Sequence, residues 1–126
     1  MRAAFAGLLL LMLPAAAIAC GHCAEDKIAA AYDHSVIVRA TDRRHEVAFL
    51  AIEGEIVASP QLSREIQGAV DSLRGVDRGT ARVSLPAGSL SFAYDPARQN
   101  LGTIMRALEK TLAPKGLSTS LLRVIN

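Results

Sequence analysis

Cys20-Gly21-His22-Cys23 places both cysteines of a 126-residue chain three positions apart, with one of its three histidines between them. A disulfide closing so short a loop gains little from chain entropy, so the spacing points first to metal ligation or to exchangeable thiols. The residues that follow, AEDKIAAAY, predict a helix with Glu25 and Asp26 in its favourable first turn. A helix N-terminus favours thiolate over thiol, and a neighbouring histidine acts in the same direction. Two thiolates entering such a helix can aim at one ion, and soft sulfur selects Cu(I), Hg(II) or Zn(II) over hard cations. Two sulfurs suit copper(I) or mercury, whereas tetrahedral zinc requires further ligands. The candidate metal ligands are therefore Cys20, Cys23 and His22. His34 and His45 lie near predicted turns, where a histidine is usually a solvated polar residue, and they serve as ligands only if the fold brings them to the thiols.

Residues 1–19 set the expected compartment. Met1-Arg2 is a short positive start, AAFAGLLLLML is an unbroken apolar run, and Ala17-Ile18-Ala19 offers a small-residue cleavage site. The run is shorter than the roughly 20 residues that span a bilayer. Export with cleavage near Ala19 is expected, into the periplasm or medium, with Cys20 as the first mature residue. Bacterial lipoproteins also begin with a signal and a cysteine, but they resemble Leu-x-x-Cys, and here Ala17 stands three before Cys20. A membrane association is expected only if Cys20 is lipidated, which would leave Cys23 as the single free thiol.

Composition removes other classes. Fourteen basic against twelve acidic residues give no charge excess of the kind that binds nucleic acid. There is no tryptophan, and Tyr32, Phe49, Phe92 and Tyr94 are the aromatics beyond the signal, too few for base-stacking platforms. Glu53, Glu55 and Asp95 fall in predicted turns without a serine, histidine and acid arrangement of recognisable spacing, so no enzyme is expected.

The elements that must position the cysteines can be traced from the pattern. Ala24, Ile28, Ala31 and Tyr32 share one face of the first predicted helix, SVIVRAT (residues 35–41) reads as a strand, and DRRH as a polar turn. EVAFLAI (46–52) is a strand buried on both sides. Ser59-Pro60 caps a helix of about four turns carrying Leu62, Ile66, Ala69, Val70 and Leu73, which stops at Gly75. Ala81, Val83 and Leu85, the turn PAG, then Leu90, Phe92 and Tyr94 describe a hairpin with one buried face. Leu101, Ile104, Met105, Leu108 and Leu112 mark another helix, closed by Pro114 and Gly116, and LSTSLLRVI is a last strand. The expected class is α+β: a ferredoxin-like βαββαβ unit over 46–126, with helices on one face of an antiparallel sheet. Residues 20–45 add a CxxC helix and a strand of open placement.

The stretch LRGVDRGTARVSLPAGSLSFAYDPARQNLGTIMRAL resembles the second half of the heavy-metal-associated domain family, which includes copper chaperones and periplasmic mercury-binding proteins. It has that family's helix ending in Gly-Val, its strand ending in Tyr-Asp-Pro and its second helix. The resemblance runs over roughly residues 46–113. It implies a soft-metal carrier that exchanges its ion with a protein partner offering thiols or methionines. The family's metal site is a Gly-Met-x-Cys-x-x-Cys loop between the first strand and the first helix. Here that loop, EGEIVASPQLS (53–63), keeps Gly54 but has neither cysteine nor methionine. CGHCAEDKIAAAY is itself similar to the family's loop and helix start, with Cys20 and Cys23 on the two ligand positions and Ile28 on the buried one.

Two other readings stay open. CGHC is also the tetrapeptide of thiol oxidoreductases resembling protein disulfide isomerase, although those place it after a central strand and here a signal segment precedes it. A heavy-metal-like domain without its loop cysteines can also serve as a protein-interaction module, with the thiol pair used only for a static bridge or anchoring.

Overall fold

The computed structural model describes residues 24–126; the expected signal (1–19) and the candidate ligands Cys20, His22 and Cys23 lie outside the described residues. In chain order the elements are a helix α1 (residues 24–30), α2 (His34–Asp42), β1 (Glu46–Gly54), α3 (Pro60–Asp71), β2 (Arg82–Ser84), β3 (Ser89–Tyr94), α4 (Leu101–Leu112), a short 3-10 turn (Ala113–Lys115) and β4 (Leu117–Ile125). The strands form one antiparallel sheet in the order β2-β3-β1-β4. From β1 onward this is the ferredoxin-like βαββαβ plan expected from the sequence.

The strand β1 is the centre of the molecule because it is apolar on both sides. Ala48, Leu50 and Ile52 face a core completed by Ile66 and Val70 of α3, Leu90 and Phe92 of β3, and Ile104, Leu108 and Leu112 of α4. The intervening Val47 and Phe49 face a second cluster with Ala93 of β3, Ile28 and Ala31 from the first helical segment, and Val36 and Ala40 of α2. Period-two alternation along a pleated strand divides one apolar run between these layers. Within the 46–126 unit the helices cover one face, as expected, and the N-terminal segment, whose placement the sequence left open, covers the other.

SVIVRAT is not a strand but the body of α2. Its β-branched residues favour extended chain, yet Asp33 supplies an N-cap and Val36 and Ala40 fall one helical turn apart, both buried against β1. The helix stops by a left-handed turn at Arg44 (φ 59°), with the His45 amide donating to the Ala40 carbonyl at 2.8 Å. Tyr32 also leaves the helix face on which the sequence put it and is 47% exposed, because the helical run ends at residue 30 and Tyr32 sits in the link to Asp33.

Within the hairpin, β3 has two buried faces where one is expected. All six residues of β3 are buried: Leu90, Phe92 and Tyr94 enter the α3/α4 core, while Ser91 and Ala93 lie under the N-terminal helices. Ser91 is tolerated there because its hydroxyl donates to the Ala31 carbonyl at 2.6 Å, satisfying both groups. In β4 a register shift opposite Phe49/Leu50 leaves Leu122 without a paired residue and packs it, with Ile125, on the N-terminal layer. Ser59 caps α3, accepting from the Leu62 amide at 3.0 Å, and Asn100 caps α4, accepting from the Thr103 amide at 2.8 Å.

A polar link holds the N-terminal layer at the β2 edge. The Asp33 carboxylate accepts from the Ser35 amide (2.9 Å) and hydroxyl (2.7 Å) and from Arg82 Nε (2.9 Å). The Ser35 hydroxyl first, and then Arg82, hold its pKa down from the usual 3.8 to about 2. A carboxylate depressed in the folded state contributes stability that is complete above its unfolded pKa and is lost as the pH falls through its folded one. The native protein is accordingly expected to lose stability between about pH 4 and pH 2, and Asp33→Asn, which keeps a capping side chain, should flatten that part of the acid-unfolding curve.

Candidate functional site

The loop 53–63 lies where the heavy-metal-associated resemblance puts a metal site, and its geometry is set by backbone packing. Gly54 ends β1 opposite Leu117 with φ 118°, and a Cβ there would lie 2.4 Å from the Gly116 carbonyl oxygen. Only glycine fits this approach of two connections. Beyond it Ile56 packs on the main core, and Val57 is 77% exposed. Ala58, Pro60, Val83 and Leu85 line a shallow apolar recess of about 290 Å³ at the start of α3. Glu53 belongs to β1, not to the predicted turn, and its Oε1 accepts from the Ser120 hydroxyl at 2.9 Å. The loop offers no soft donor, so a thiophilic ion finds no ligands in it.

The first described helical turn reaches this same end of the sheet. Lys27 Nζ donates to the Ala87 carbonyl at 2.7 Å and to the Gly88 carbonyl at 3.3 Å, at the tip of the β2-β3 hairpin. The Gly88 carbonyl also accepts from the Ile52 amide at 2.7 Å, next to the end of β1, and a Cβ on Gly88 would come within 3.5 Å of the Ile56 side chain. Lys27, the hairpin tip and the base of loop 53–63 thus form one pole of the domain. On the other side of α1, Glu25 pairs with Arg123 of β4. Ala24, bonded to Cys23, is already helical and partly buried.

The remaining histidines are placed elsewhere. His34 opens α2 beyond the far end of α1; it is exposed, and its Nδ1 lies 3.2 Å from the Tyr32 hydroxyl. His45 precedes β1 at the opposite end of that strand from Gly54, a strand of nine residues that rises about 3.3 Å per residue. Its Nδ1 is 2.7 Å from Asp77 and its Nε2 is 3.6 Å from Asp95, so it joins the start of β1 to the turns that flank the hairpin. Close by, the Tyr94 hydroxyl donates to the Glu46 carboxylate; burial first, and then this negative neighbour, push the phenol well above its ordinary pKa. These are structural ties at the far pole. Among the described residues no group of three or more His, Cys, Asp or Glu side chains could hold a metal ion.

The Lys27 anchor was not signalled by the sequence, since a lone lysine in an AEDKIAAAY helix reads as a solvated charge. Only the topology shows that its ammonium satisfies two carbonyls of a turn sixty residues away.

No protein-family model matches the chain, and no curated protein gives a significant match. Among solved structures, a copper binding domain from HMA7, a P-type ATPase, is similar with a TM-score of 0.51 at 18% identity, over 63% of this chain and 96% of that domain. Oxidized MerP from Ralstonia metallidurans CH34 is similar with a TM-score of 0.47 at 17% identity, over 61% of this chain and 96% of that protein. The fold is that of heavy-metal-associated domains, with a second helical layer added on the other face of the sheet.

Replacing Lys27 by methionine keeps the apolar stem and removes the charged donor to the hairpin tip. Amide exchange in residues 24–30 is expected to accelerate by about tenfold, in line with one charged hydrogen bond. Exchange in β1 and β3 should be unchanged, which distinguishes local release of α1 from global destabilisation.

Proposed function

We propose that the protein carries one soft metal ion, Cu(I) in the first instance, on the thiolates of Cys20 and Cys23, with His22 as an adjacent third donor. The observation that carries this reading is the Lys27 anchor. It holds the helix that follows Cys23 at the pole where heavy-metal-associated domains are expected to carry their metal loop, while loop 53–63 at that pole has no sulfur ligand. A CxxC pair supplied from the N-terminal layer would restore the missing donors without altering the loop. The similarity in fold to a domain described as copper binding supports the choice of metal, as does the preference of paired thiolates for a monovalent soft ion. Zinc and mercury are the alternative cargoes.

The role that follows is carriage or buffering of the ion after export, with release by ligand exchange to a protein partner that presents its own thiols or methionines. Thiolate sites of low coordination number suit such exchange because an incoming sulfur can bind before the first leaves. Cleavage near Ala19 would make Cys20 the N-terminal residue, and a free thiol there is a requirement of the proposal.

Under reducing conditions the exported protein is expected to bind one equivalent of Cu(I) in competition with a chromophoric chelator. The Cys20→Ser/Cys23→Ser variant should lose this binding while keeping its fold. Intact mass on the same sample should correspond to unmodified Cys20. Equal affinity in the double-serine variant, or an acylated Cys20, overturns the assignment; catalysed disulfide exchange without metal retention would favour a redox role for CGHC.

A further inference from the structure

At the pole opposite loop 53–63 a polar recess of about 420 Å³ lies between the end of α2, the α3-β2 connection and the turn after β3. Four arginines, Arg43, Arg74, Arg78 and Arg98, all exposed, are among the residues that line it, with two acidic residues, Asp71 and Asp77. Both carboxylates are engaged within the fold: Asp77 pairs with His45 at 2.7 Å, and Asp71 accepts from the Gly79 amide at 3.2 Å. Among the described residues, none of the four arginines forms an ion pair, in contrast to Arg82 and Arg123.

The arrangement is held by backbone. The Asp95 amide donates to the Gly75 carbonyl and the Asp77 amide to the Ala93 carbonyl, both at 2.9 Å, which brings the turn carrying Arg98 against the connection carrying Arg74 and Arg78. Gly75, with φ 91°, makes the approach possible, since a Cβ there would lie 2.6 Å from Gln99 Cβ. Helix C-termini attract cations, which accounts for Arg43 at the C-cap of α2 and Arg74 just beyond α3. Arg78 and Arg98 have no such cause. Four exposed arginines along one concavity are a concentration of positive charge that an anion would offset, and their planar forks match phosphate oxygens two at a time.

We infer that this recess is an anion site for a compact ligand bearing at least two phosphate-type groups, distinct from the thiol pair and independent of metal loading. One carboxylate or a single sulfate would leave half of the forks unused. A pyrophosphate-sized group can engage guanidiniums from both sides of the recess.

The test is calorimetric titration of the mature protein with pyrophosphate at physiological ionic strength, alongside sedimentation with vesicles of mixed neutral and phosphate-bearing anionic lipid. The amides of residues 74–79 and 98 should shift in step with occupancy. Arg74→Gln/Arg98→Gln should weaken binding by about tenfold or more, and Arg106→Gln, on the exposed face of α4, should have no effect. Pyrophosphate binding with this pattern supports a soluble phosphate ligand. Vesicle binding alone, lost in the same double variant, supports a lipid phosphate at the same site. Absence of both, binding that the double variant retains, or shifts confined to other residues overturns the inference.

Discussion

The burial of β1 on both faces is the constraint from which the rest of the molecule follows. A strand carrying Val47 and Phe49 on one side and Ala48, Leu50 and Ile52 on the other cannot face water on either. Each large apolar side chain left exposed forfeits about 1.5–3 kcal/mol of burial. The βαββαβ unit alone covers one side, with α3 and α4. Helices α1 and α2 cover the other, so the segment that begins at the thiol pair is also half of the packing of the sheet. Polar contacts then fix where that layer sits: Ser91 beneath Ala31, Asp33 at Arg82, and Lys27 at the hairpin tip.

That coupling gives the two ends of the domain different characters. At one end, Gly54 and Gly116 bring two connections together near an apolar recess, and Lys27 tethers the N-terminal helix to the hairpin tip. At the other, Asp77 is paired with His45, and the four arginines that line the same recess form no ion pair among the described residues. A cargo ion at the first pole and an anion at the second would act through separate surfaces of one rigid sheet.

Much of the fold was legible in the sequence, because Ser59-Pro60, Gly75, Pro114 and Gly116 punctuate helices whose apolar residues recur at clean spacing. The even apolar run of EVAFLAI already indicated burial on two sides, although nothing local said what the second cover was. SVIVRAT misled for a physical reason: its β-branched residues favour a strand, and the contacts of Val36 and Ala40 with β1 that make it a helix are tertiary. The two-sided burial of β3 was hidden by Ser91, which looks solvent-facing until Ala31 arrives to accept a hydrogen bond. At the candidate site, the absence of sulfur from loop 53–63 could be read directly. The tether that brings the N-terminal helix to that loop could not, since it links Lys27 to backbone carbonyls that carry no sequence signature.

The central claim is that the soft-metal ligands of this domain come from the N-terminal layer and not from the loop between β1 and α3. X-ray absorption at the copper edge of the Cu(I)-loaded mature protein tests it most directly. The account predicts two sulfur scatterers that disappear in Cys20→Ser/Cys23→Ser. A first coordination sphere of nitrogen and oxygen alone, unchanged by that double substitution, would contradict it.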